Sequence, residues 1–119
     1  MLGGKARQLC EHAFVGSEIA SLGADFQRAV KQRNVMGAEA AARQLGQLTL
    51  DNALRLLFLY AEKEPLKYDR AALRWLGRYV TEGRRVSLLK AQLALAALAE
   101  LRTGSREAAA KMLTELVRR

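Results

Sequence analysis

The stretch DRAALRWLGRYVTEGRR, residues 69 to 85, places five arginines and the only tryptophan within seventeen positions. Arg70, Arg74 and Arg78 follow one another at steps of four, so on a helix they share an arc of about 80°. Arg84 and Arg85 continue the charge past Gly83, and Lys67 and Tyr68 extend it upstream. Clustered cations are rewarded by polyanions through counterion release, and the planar guanidinium fork matches phosphate oxygens. Trp75 projects to the border of the arginine arc, where its ring would stack on a base or hold a guanidinium against its face. Lys67, Arg70, Arg74, Trp75, Arg78, Arg84 and Arg85 are therefore the candidate contacts for nucleic acid or an acidic protein.

The same spacing also describes the wet face of an amphipathic helix, with Ala72, Leu73, Leu76, Tyr79 and Val80 on the opposite arc. Asp69, Glu82, Glu62 and Glu64 lie close enough in sequence to pair with the arginines. This solvated reading is preferred. A helix-turn-helix at Gly83 is disfavoured, because the helix that would enter the DNA groove is far too apolar.

No other cluster supports chemistry. Cys10 and His12 stand two apart and project about 200° from each other on a helix, so they cannot share a metal or act as nucleophile and base. Cys10 reads as a small core residue and His12 as a surface or interface one. Glu11 and Glu18, seven apart on one helical face, suit exposed pairing as well as acid–base work. A glycine-rich phosphate loop, a G-x-S-x-G turn and a metal-ligand cluster are all missing from the sequence. The expectation is a non-enzymatic protein with no cofactor, no metal and no small-molecule ligand.

The elements that carry these residues follow from composition and breaks. Half of the 119 residues are hydrophobic, aromatics are few, and Pro65 is the single proline. Such a chain predicts an all-α, single-domain bundle over residues 1–119. Asn34 and Gly37 mark one turn, and Pro65 with Asp69 as a cap marks the next boundary. Gly83 serves as a left-handed residue after one helix, while Gly104 ends the next and Ser105 caps the last. Five antiparallel helices result, at about 5–33, 38–62, 70–82, 86–102 and 106–118. The second is kept continuous, although Thr49 offers a cap near its middle.

Twenty Lys and Arg against twelve Asp and Glu leave a formal charge of +8. One cysteine cannot form an internal disulfide, and Glu11 and His12 cut short any apolar leader core, so a cytoplasmic protein is expected. The longest apolar runs, LLFLYA and LALAALA, fall well below the roughly 18 residues of a membrane span. EAAARQLGQL (39–48) and EAAAKMLTEL (107–116) share six identical positions. An alanine- and leucine-rich chain matches itself easily, and no family is assigned.

Hydropathy patterning yields the main expectation. Leu88, Leu89, Leu93, Leu95, Leu98 and Leu101 point all around their helix, and a helix apolar on every side must be surrounded. Residues 50–62 are similar, with only a seam of Asp51, Arg55 and Glu62. The first helix carries two apolar stripes, one through Leu9 and Ala13 and one through Ile19, Leu22 and Phe26. Its length decides whether one monomer can cover both apolar helices. The preferred reading is that it cannot. The surplus then predicts a helical protein–protein interaction module, most simply a symmetric homodimer or an adaptor for a helical partner, using Leu9, Ala13, Ile19, Leu22, Phe26, Leu89, Leu93, Leu95 and Leu98. The alternative is a small nucleic-acid-binding protein using the 67–85 cluster.

Overall fold

The computed structural model describes residues 20–119. Among them every regular element is an α-helix, which establishes the all-α class read from composition. The chain divides between Gln47 and Leu48 into two compact units.

In the first unit, α1 covers the described residues 20–31 and α2 runs Val35–Leu45. The turn between them is closed from both sides. Asn34 N–H donates to the Ala29 carbonyl at 2.8 Å and Arg33 N–H to the Val30 carbonyl at 3.0 Å, with Arg33 left-handed at φ 58°. Those two bonds satisfy carbonyls at the end of α1. The Asn34 side chain then accepts from Gly37 N–H at 3.0 Å, capping α2. A side chain at Gly37 would collide with that cap.

The second unit holds α3 (Leu50–Lys63), α4 (Pro65–Glu82), α5 (Leu88–Thr103) and α6 (Arg106–Arg118). Packing runs in a ring: α3 on α4, α4 on α5, α5 on α6, and α6 back on α3. Leu54, Leu57, Tyr68, Trp75, Tyr79, Leu98, Leu101 and Leu113 are buried at its centre. Trp75 and Tyr79 stack at 5.3 Å between ring centroids, and Trp75 Nε1 donates to the Leu50 carbonyl at 3.0 Å.

Three boundaries differ from the sequence reading. The helix expected across 38–62 is two helices, because Gly46 stands at φ 86°, where L side chains are strained. Thr49 then caps α3 by accepting from Asn52 N–H at 3.1 Å. The next helix starts at Pro65, five residues before the expected start, with Asp69 one turn inside. Proline suits the first helical position, since the N–H it lacks would be unpaired there anyway. Gly83 is not left-handed either; its φ is −69°. Glycine is needed there for space, because a Cβ would lie 2.5 Å from the Tyr79 carbonyl oxygen and 2.7 Å from Val86 Cγ2. The left-handed residue of that turn is Arg85, at φ 46°. Ser87 caps α5 by accepting from Lys90 N–H at 3.1 Å; α6 begins at Arg106 as expected, but the Ser105 side chain makes no capping hydrogen bond.

Candidate interaction surface

Starting α4 at Pro65 gives it three distinct sides. Tyr68, Ala72, Trp75 and Tyr79 form the buried side. Trp75 is only 3 % exposed. It therefore does not border the arginine face, and its ring is unavailable to a base. Tyr68 is equally enclosed, and its hydroxyl donates to the Leu98 carbonyl of α5 at 2.6 Å. Burial first, and then the neighbouring Asp69 carboxylate, push the Tyr68 phenol up to about 12.

The second side is cationic, but its members differ. Arg78 is held by Glu82 through two hydrogen bonds of 2.9 and 3.0 Å, which keep the Glu82 carboxyl below its ordinary range. Lys67 lies 5.9 Å above the Tyr60 ring. Arg70, Arg74, Arg84 and Arg85 are exposed and form no ion pair among the described residues. The seven expected contacts thus reduce to four open guanidinium groups.

The third side is apolar and wet. Leu66, Leu73 and Val80 recur every seven residues and are 98, 65 and 44 % exposed. The sequence reading put Leu73 and Val80 on the core-facing arc. With Tyr68 recognised as helical, the spacing Tyr68, Trp75, Tyr79 would have identified the true core stripe and moved both residues outward.

On α5 the core takes Ala94, Ala97, Leu98 and Leu101. Leu98 is therefore buried within the second unit and cannot serve as an external contact. Leu88, Leu89, Leu93 and Leu95 remain exposed, as a helix apolar all round requires when only one side has neighbours. The other apolar helix, α3, is better covered: Leu54, Leu57 and Leu59 are buried, and Leu56, Phe58 and Tyr60 are half-buried. Asp51 and Arg55 form the expected pair on its surface at 3.6 Å.

Between α4 and α5 the wet apolar sides meet in an open groove of about 350 Å³. Leu73 and Leu76 line it from α4, Leu95 and Ala99 from α5, with Tyr68, Ala72 and Leu98 also contributing. At one end Arg102 Nε approaches Asp69 at 3.8 Å. Comparisons with protein families, curated proteins and solved structures find no match. The reading of this surface therefore rests on its geometry.

In the first unit, Phe26 is completely buried and Leu22 half-buried, so Phe26 is not an exposed contact. Leu9, Ala13 and Ile19 lie outside the described residues, as do Cys10, Glu11, His12 and Glu18. Among the described residues no group of His, Cys, Asp and Glu side chains is placed to hold a metal ion. No described helix is long and apolar enough to cross a membrane.

Proposed function

We propose that the protein is a non-enzymatic helical interaction module whose contact face is the seam between α4 and α5. The supporting observation is the row of exposed leucines on both sides of one groove, above all Leu73 and Leu95. Burying a leucine side chain contributes roughly 1.5–3 kcal/mol, so covering several of them would stabilise an assembly. Exposed apolar patches of this kind mark interaction sites on soluble proteins. The occupant is a second copy or a helix from another protein.

Light scattering on the full chain, alone and with amphipathic helical peptides, tests the reading. Association is expected either as a mass above the 13.2 kDa of one chain or as peptide binding. Leu73→Glu with Leu95→Glu should abolish it without altering the melting temperature. A monomer indifferent to every such peptide contradicts the proposal.

A second reading, binding of nucleic acid, is supported by the four open arginines. It predicts affinity for mixed DNA or RNA that falls steeply with salt and weakens when Arg70 and Arg74 become Ala. Flat titrations at low salt would end it.

A further inference from the structure

We infer that the α4–α5 groove receives an acidic amphipathic helix from another protein. This deepens, and rests on, the reading of that face as a docking surface. The walls have the spacing that grips a helix. Leu73 and Leu76, three apart, line the groove from α4, and Leu95 and Ala99, four apart, line it from α5. The exposed Leu66 and Val80, seven residues either side of Leu73, and Leu88, seven before Leu95, continue the same helix faces beyond it. Steps of three, four and seven keep side chains on one side of a helix, and two such rows bordering a groove form the receptor for a third apolar stripe.

Charge decides which helix fits. At 100° per residue, Arg70 lies about 40° and Arg74 about 80° from Leu66, on the solvent side of the leucine row. Both guanidinium groups are exposed, without an ion pair among the described residues, and Arg84 and Arg85 add further open positive charge in the turn after α4. The one carboxylate lining the groove, Asp69, already faces Arg102. An occupant resting on the leucines would therefore place its flank against uncompensated positive charge, which glutamates and aspartates would complement. A second copy docked α4 to α4 would bring two arginine rows together, and like charges across an interface are costly. A nucleic acid is disfavoured by the leucine ridge beside the arginines, which offers phosphates no donor, and by the burial of Trp75.

The test uses the full chain and two labelled peptides of about 20 residues, long enough to hold a helix. Both carry leucines at helical spacing; one has glutamate flanks and the other lysine flanks. Anisotropy should show the glutamate peptide binding at least about tenfold more tightly at low salt, with the advantage shrinking as salt screens the flanks. Arg70→Glu with Arg74→Glu should reverse the preference, a gain for the lysine peptide that a misfolded variant cannot produce. Equal affinities, unchanged by that reversal but lost in Leu73→Glu with Leu95→Glu, would overturn the acidic occupant and leave the docking face standing. A dimer by light scattering that excludes both peptides would overturn it in favour of a second copy. Binding only to mixed RNA or DNA, lost on the arginine reversal, would overturn it in favour of a polyanion. No association of any kind would remove the docking face as well.

Discussion

The Tyr68 hydroxyl donates a 2.6 Å hydrogen bond to the carbonyl of Leu98, thirty residues later, and so ties α4 to α5 beneath the groove. Tyr79, on the same side of α4, presents the opposite case: its hydroxyl is buried with no hydrogen-bond partner among the described residues. A satisfied buried hydroxyl contributes about 0.5–1.5 kcal/mol, whereas an unsatisfied one costs its desolvation. Tyr68→Phe should therefore destabilise the fold by about 1 kcal/mol, and Tyr79→Phe should leave it unchanged or stabilise it by roughly the same amount. Urea unfolding of the two variants should give shifts that differ in sign or size, and equal losses would contradict the assignment.

Alkaline pH reports the same contact. The Tyr68 phenol ordinarily titrates at 10.0 and is held up to about 12 in the folded chain, chiefly by burial. Since the folded value is the higher, the stability gained from the neutral phenol is complete below pH 10.0. It declines as pH rises through about 12, because there the unfolded chain has already lost the proton that the folded chain retains. Burial also raises the Tyr79 phenol, so tyrosinate absorbance should include a late component that Tyr68→Phe reduces by one tyrosine rather than abolishes. An undiminished late component in the variant would place the titration elsewhere.

Gly83 tests the turn into α5. Its added Cβ would meet a backbone oxygen, which cannot swing away as a side chain can. Gly83→Ala should cost about 1–3 kcal/mol in thermal or denaturant unfolding. A neutral result would mean that the turn has room to open.

The exposed leucines make the opposite prediction. Leu73→Glu and Leu95→Glu replace side chains that project from the second unit, so each should change stability by no more than about 0.5 kcal/mol. Calorimetry on the purified variants checks this. A loss of several kcal/mol would show that these residues belong to the fold's interior.

The helical class and the breaks at Asn34, Pro65 and Gly104 were legible because those residues act locally, within one turn of the residues they affect; the caps expected from Asp69 and Ser105 do not form. The surplus on α5 was legible too, since leucines at every angle require more neighbours than one side supplies. The faces of α4 were harder to read. Placing its start at Asp69 removed Leu66 and Tyr68 from the helix, and with them the two seven-residue rows that separate core from groove. Trp75 then projects to the border of the arginine arc, although its indole N–H finds its partner on the Leu50 carbonyl of another helix. Contacts of that kind are tertiary and leave no periodic trace. The Arg78–Glu82 pair, by contrast, follows the four-residue spacing that offered Glu82 as a partner, whereas Arg70 and Arg74 have no acid three or four residues away.

The location of binding is tested most directly by amide chemical-shift mapping of the isotope-labelled full chain as the glutamate-flanked peptide is added. A docking face at α4–α5 predicts the largest changes at Leu73, Leu76, Leu95 and Ala99, with Leu54 and Leu113 hardly affected. Changes confined to α2 or α6, or none at saturating peptide, would contradict it.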